Sequence, residues 1–222
     1  TEVILKAYIE WKDKCVNKFN GIFAFAIWDD KEQRLFFARD RIGVKPLFYT
    51  EIGNDIIFSS EIKGLFAHPL AKPVIDINSL RSVFGLGPAK KQGSGVFKNV
   101  REVLPGHYLH VTFDGVDDVA YWQLVSHPHE DSLEETIEKT AYLVKDAVEM
   151  QMLADIPICT FLSGGIDSSL VSAICAKKLA NDGKKLTTYS FDFKDNNIYF
   201  KSNDFQPSED RPYVDIMKEH IK

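Results

Sequence analysis

Cysteine is scarce. The 222 residues hold three, Cys15, Cys159 and Cys175, too few and too scattered for a disulfide framework or for a zinc site, whose ligands usually cluster in pairs. All three are expected to be buried thiols, because free cysteine packs as a small hydrophobe. Long apolar runs are absent as well, and no stretch approaches the roughly 20 residues that a bilayer span requires. The opening Thr1-Glu2-Val3-Ile4-Leu5-Lys6 lacks the basic region of a secretory signal, so the cytoplasm is the expected compartment. Basic runs are missing too, and with a net charge of -5 this argues against capture by nucleic acid or by an anionic membrane. Small molecules are the expected partners. There is neither a G-x-x-x-x-G-K-S/T loop nor a G-x-G-x-x-G turn after a strand, which disfavours a Walker A site and a Rossmann dinucleotide site. No Met opens the chain, and Val214 to Lys222 reads as a helix without a closing cap, so the sequence is expected to be an internal piece of a longer one.

With 45% hydrophobic and 27% charged residues, what remains is an ordinary globular composition with no disordered tract. Residues Glu2 to Lys18 place Ile4, Leu5, Tyr8, Ile9, Trp11 and Cys15 at helical spacing, and Asn20-Gly21 ends that helix. Short apolar runs follow at Ile22 to Trp28, Leu35 to Ala38, Leu47 to Tyr49 and Ile56 to Ser59, separated by turn residues; they predict an antiparallel sheet. The stretch from His68-Pro69 to Pro105-Gly106 is dominated by turn chemistry, with a short helix after Asn78, and Tyr108 to Phe113 is a further strand. The polar segment Ser126 to Ser132 marks the expected domain boundary.

Beyond it, Ser132 and Glu135 have capping-box spacing, and Leu133, Ile137, Ala141, Val144, Val148 and Met152 recur about every four residues. A buried strand at Ile158 to Leu162, a helix at Leu170 to Leu179 closed near Gly183, and a strand at Leu186 to Phe193 predict a parallel βαβ unit. Between the first strand and the helix lies Ser163-Gly164-Gly165-Ile166-Asp167-Ser168-Ser169. Glycines in such a turn let backbone N–H groups approach a phosphate, and the helix N-terminus adds partial positive charge. Serine hydroxyls add donors, and a carboxylate beside phosphates makes sense if it holds Mg²⁺. The bland reading, a helix capped by Ser and Asp after a tight turn, explains one or two of these residues and not the set.

This S-G-G-x-D-S loop resembles the pyrophosphate loop of the ATP pyrophosphatases. Ahead of it, Phe19-Asn20-Gly21-Ile22-Phe23-Ala24-Phe25-Ala26-Ile27-Trp28-Asp29 resembles the F-x-G-x-F-A-F-A strand of class II glutamine amidotransferases. Arg39 to Tyr49, Phe58 to Lys63 and Leu104-Pro105-Gly106-His107-Tyr108 resemble later segments of the asparagine synthetase type. In that order, the segments are similar to the glutamine-hydrolysing asparagine synthetases over most of the chain.

The resemblance implies an α+β class II amidotransferase part, an αββα sandwich, over residues 1–125, and the start of a parallel-sheet α/β ATP pyrophosphatase domain over 132–222. It implies a ligase with ATP and Mg²⁺ as cofactors and aspartate, ATP and glutamine as partners, and a homodimer is a family expectation. Leu162, Ser163, Gly164, Gly165, Asp167, Ser168, Ser169 and Phe193 are carried over as the ATP and pyrophosphate site, with Ser163 and Asp167 catalytic and Asp167 the Mg²⁺ ligand. The family's glutaminase nucleophile, an N-terminal Cys, has no counterpart here; Cys15 is internal and on a helix. A second acidic loop of the family would lie beyond Lys222, so this segment alone is expected to be inactive. Two rivals remain: a tailoring amidotransferase acting on another carboxylate, and a non-catalytic nucleotide-binding module.

Other polar features carry structural expectations. Arg39 and Asp40 are expected to form a salt bridge, and Asp76, Asp117-Asp118 and Glu130-Asp131 to face solvent. His68, His107, His110, His127 and His129 share no triad or metal pattern, although His127-Pro128-His129 could take a stray metal. Lys194 to Pro212 reads equally as a loop near the acceptor substrate and as a surface connection.

Overall fold

The computed structural model describes residues 1–222 except Pro88, Lys90, Phe205 and Lys222. Two compact units divide the chain, Thr1–His127 and Pro128–Lys222.

The first unit opens with α1 (Glu2–Trp11), which ends where Lys12 takes a positive φ of 49°. A 3-10 helix, Lys12–Lys18, follows in place of the single helix expected over 2–18. The break turns the chain back, and Cys15 and Val16 become fully buried.

Strands β1 (Ala24–Asp29), β2 (Arg34–Arg39), β3 (Phe48–Ile52) and β4 (Asp55–Ser59) come next. After them run α2 (Ile62–Leu65), α3 (Ile77–Leu86), β5 (Arg101–Glu102), β6 (His107–Thr112) and β7 (Gly115–Ala120). Two antiparallel sheets result, in the orders β1-β2-β6-β7 and β4-β3-β5. In the first, Ala24 pairs with Arg39, Leu35 with Val111 and His107 with Ala120. α3 is closed at its start by a reciprocal box between Asp76 and Ser79, so Asp76 is a cap and not merely a solvated acid. α2, β5 and β7 carry too few core residues to announce themselves in sequence.

Side chains alternate across a strand, and two dipeptides show how that builds layers. Phe36 points to α1 and the 3-10 helix, in a core with Tyr8, Cys15 and Val16. Phe37, on the other face, meets Leu47, Tyr49, Val103 and Leu109 between the sheets. In the second sheet Tyr49 faces that inner core, while Phe48 packs outward with Leu65 and Val100. The unit is therefore four-layered, α-β-β-α, the class II amidotransferase arrangement.

Arg39 and Asp40 are both buried but do not pair. Arg39 lies 3.0 Å from Glu102, and its guanidinium donates to the carbonyls of Lys45, Val103 and Gly43, each at 2.7 Å. Asp40 instead accepts N–H donors from Ile42 (3.2 Å), Val44 (2.9 Å) and Lys45 (3.0 Å). The salt bridge expected between neighbours is replaced because each charge finds other partners: Arg39 is taken by Glu102 and by carbonyls, Asp40 by N–H groups. Both hold the connection from β2 to β3, Arg39 through its carbonyls and Asp40 through its amides.

In the second unit α4 (Leu133–Gln151) starts from the capping box of Ser132 and Glu135. β8 (Cys159–Phe161), α5 (Ile166–Asn181) and β9 (Thr187–Tyr189) form the parallel βαβ unit, with Cys159 opposite Thr187 and Phe161 opposite Tyr189. Thr160 and Ser172 tie β8 to α5 through hydroxyls 2.8 Å apart. Short α6 (Asn196–Tyr199) and α7 (Arg211–His220) complete it, α7 starting three residues before the expected Val214 because Pro212 suits a first helical turn. Cys15 and Cys175 are buried as expected, whereas Cys159 is exposed. The correction has a simple cause: alternation along β8 buries Leu162 and leaves Cys159 on an uncovered stretch of strand. No described helix is long and apolar enough to cross a membrane.

Candidate functional site

β8 pairs with β9 as far as Phe161, and the Leu162 N–H still donates to the Tyr189 carbonyl at 2.8 Å. Leu162 is 2% exposed, which pins the strand end. The chain then turns through Ser163 and Gly164 to Gly165, the N-cap of α5.

A glycine N-cap offers no side-chain acceptor, and the serines instead tie the turn that precedes the helix. The Gly165 N–H donates to Ser163 Oγ at 3.2 Å, and the Ser163 N–H donates to Ser168 Oγ at 3.1 Å. The hydroxyls of Ser163 and Ser168 lie 2.9 Å apart, and Ser169 Oγ donates to the Gly165 carbonyl at 2.8 Å. The loop is thus held by its own hydroxyls before any ligand arrives. Gly164 has a different role: a Cβ there would stand 3.0 Å from Cα and from Oδ1 of Asp210 and 3.1 Å from its carbonyl oxygen. Contact of that kind is tighter than ordinary packing, so a side chain at 164 would require Asp210 to give way by a few tenths of an ångström.

A cleft of about 390 Å³ opens beside the loop. It gathers Leu162, Ser163, Ser168 and Phe193 among the residues expected at the site, and Gly164 and Gly165 form the turn at its edge. Asp167 and Ser169 do not line it. Both sit in the first turn of α5, with Asp167 exposed and without a hydrogen bond or ion pair among the described residues. A carboxylate so placed is available to a cation. Among the described residues no three His, Cys, Asp or Glu side chains group to hold a metal by themselves, and His129 is bonded to Thr136 at 2.7 Å. Mg²⁺ does not need such a cage, because it is commonly held by one or two carboxylates together with substrate phosphates. One free carboxylate beside amide and hydroxyl donors fits that pattern.

Sequence reading missed the far wall of the cleft, formed by Asp192, Gln206, Asp210 and Arg211. Asp210-Arg211-Pro212 carried a signal only as an ordinary helix start. The segment 194–212 therefore borders the cleft through Asn196, Gln206, Asp210 and Arg211. Cys15 is no substitute nucleophile, since burial pushes its thiol up to about 11.

Comparison with known proteins follows the same division. Residues 1–122 match the family model described as a glutamine amidotransferase domain, and residues 139–222 the model described as asparagine synthase. Over 220 residues the chain is 47% identical to the Bacillus subtilis (strain 168) asparagine synthetase (glutamine-hydrolyzing) 3, which covers 99% of this chain and 36% of that protein. It is 35% identical over 189 residues to asparagine synthetase (glutamine-hydrolyzing) 2 of the same organism, covering 80% of this chain and 25% of that one. The amidase chyE of Penicillium rubens is 34% identical over 191 residues, covering 83% of this chain and 27% of its own length. The chain thus spans only 36% of the length of the first of these relatives and less of the other two.

Proposed function

The chain belongs to the glutamine-hydrolysing asparagine synthetase family, a family of ATP-dependent ligases, and from that premise we propose that the protein of which it forms part makes asparagine from aspartate, ATP and glutamine. Residues 1–125 are assigned to the amidotransferase domain and residues 132–222 to the ATP pyrophosphatase domain. The aspartate side-chain carboxylate attacks the α-phosphorus of ATP and expels pyrophosphate, giving aspartyl-AMP. Ammonia from glutamine then attacks the acyl carbon and AMP leaves.

The observation that carries this reading is the Ser163–Ser169 loop at the carboxyl end of a parallel strand, opening on a cleft that Phe193 also lines. In the proposal, the amides at the start of α5 and the hydroxyls of Ser163, Ser168 and Ser169, turned from their partners within the loop, donate to the departing pyrophosphate, where positioned donors stabilise developing charge. Asp167 holds Mg²⁺, which when bound with ATP neutralises phosphate charge. Leu162 and Phe193 border the adenine. Because the Leu162 N–H is donated to Tyr189, its carbonyl is the group left to meet the base.

The similarity to amidase chyE favours one second reading, a relative that activates a carboxylate other than that of aspartate. Exchange of labelled pyrophosphate into ATP by the complete gene product separates the two. Aspartate-dependent exchange that falls by orders of magnitude in Asp167→Asn supports the proposal; exchange with another acid moves it to the second reading. No exchange with any acid rejects both and leaves a non-catalytic nucleotide-binding module.

A further inference from the structure

At the edge of the first unit's sandwich, where β5 and β7 are the outer strands of their sheets, a cleft of about 790 Å³ opens under α3. Its size is in the range of small-molecule sites. Nothing in the proposed synthetase chemistry uses it.

The charge inventory of its walls is lopsided. Two carboxylates line it, and both already have a partner: Glu102 the Arg39 guanidinium at 3.0 Å and Asp118 the His107 ring, hydrogen-bonded at 2.6 Å. Three cations line it, Arg81, Lys91 and Arg101. Arg101 is shared with Glu51 at 2.9 Å, while Arg81 and Lys91 have no ion-pair or hydrogen-bond partner among the described residues. Neutral donors point the same way. The Ser82 hydroxyl is buried with no hydrogen-bond partner among the described residues, a condition that ordinarily costs about 1–3 kcal/mol and leaves its proton free to donate. Ser94 Oγ accepts from the Val96 N–H at 3.1 Å, which leaves its own proton to donate. The walls therefore offer donors and positive charge in excess of acceptors, around an apolar floor that includes Leu104 and Val116.

We propose that this cleft binds a small organic anion, one bearing phosphate or carboxylate groups, gripped by Arg81 and Lys91. The Arg81 guanidinium supplies a planar fork for two oxygens, Lys91 a point charge, and Ser82 a hydroxyl that gains its acceptor only when the anion is present. The site is separate from the Ser163–Ser169 loop and does not depend on what that loop binds.

Calorimetric unfolding of the complete gene product reads anion binding, and the substitutions at Arg81 and Lys91 assign any shift to this cleft. Inorganic phosphate and citrate are titrated separately, against chloride at matched ionic strength. The wild type and Asp167→Asn are each expected to gain melting temperature saturably with at least one of the two anions, as mass action requires, and the anion that acts identifies the source. In the double variant Arg81→Ala, Lys91→Ala the apparent Kd should rise at least about tenfold. Both side chains are exposed, and an unchanged melting temperature without anion verifies that the variant folds; Arg81→Lys with Lys91→Arg keeps the charge and serves if it does not. An equal shift in the charge-removing variant, a shift reproduced by chloride, or no saturable shift with either anion overturns the proposal.

Discussion

Replacing Asp40 tests whether one buried carboxylate organises the turn from β2 to β3. Asp40 is 2% exposed; its Oδ1 accepts from Ile42 and Val44, and its Oδ2 from Lys45. Burial alone would raise this carboxyl, and the backbone donors, led by Lys45 and Val44, outweigh it, so the group lies below the ordinary carboxylate range. Asn preserves the oxygen that serves Ile42 and Val44 but turns an NH₂ toward the Lys45 N–H. One charge-assisted bond is lost, about 2 kcal/mol. Ala strands all three N–H groups, for a total near 4 kcal/mol once non-additivity is allowed for. With a urea slope of about 2 kcal/mol/M, the unfolding midpoint should fall by roughly 1 M for Asp40→Asn and roughly 2 M for Asp40→Ala. Within residues 1–222 tryptophan emission follows this unit, because Trp11, Trp28 and Trp122 all lie in it. A midpoint unmoved by Ala would refute the argument, and equal losses for Asn and Ala would refute the division between Oδ1 and Oδ2.

Three further outcomes are expected. Gly164→Ala forces a methyl to within about 3 Å of Asp210 backbone, and the displacement should lower pyrophosphate exchange by the complete gene product about tenfold or more; exchange at the wild-type rate would show that the loop and α7 separate freely. A thiol reagent at neutral pH should label Cys159 alone in the native protein segment, since Cys15 and Cys175 are buried and burial raises both thiols; peptide mapping that finds Cys15 modified would contradict the core described for α1 and the 3-10 helix. The Lys12 ammonium, assisted by the Tyr8 hydroxyl, holds the Asp29 carboxyl down at about 2. Because the folded value lies below the unfolded one of about 3.9, its stabilisation is complete above about pH 5 and is lost as pH falls toward 2. Acid titration of Asp29→Asn should therefore show a shallower loss of stability across that window, and an identical slope would remove the Lys12 contact from the account.

Much of the molecule was legible in the chain because it depends on residues close together. The capping box of Ser132 and Glu135 is a spacing rule, and the structure closes it as written. Phe36-Phe37 and Phe48-Tyr49 read as strands because adjacent large side chains must leave a sheet on opposite faces. The loop Ser163–Ser169 is contiguous, so its glycines and hydroxyls are recognisable without coordinates, and its family resemblance rests on the same run.

Other features depend on residues far apart, and no local pattern encodes them. Arg39 takes Glu102 across 63 positions, whereas its neighbour Asp40 turns to backbone. Gly164 lies against Asp210, 46 positions away, a contact made only when the N-terminus of α7 meets the loop. Cys159 looks like a core residue and is exposed, since burial is decided by what covers a strand face rather than by the side chain that faces it. The cleft under α3 exists only because two sheets stop at the same edge. The sequence by itself determined the longer elements, the family and the form of the Ser163–Ser169 loop, through short-range periodicity and spacing; tertiary structure decided which distant charges meet, which faces are covered and which donors are left without acceptors, because those are properties of packing in space.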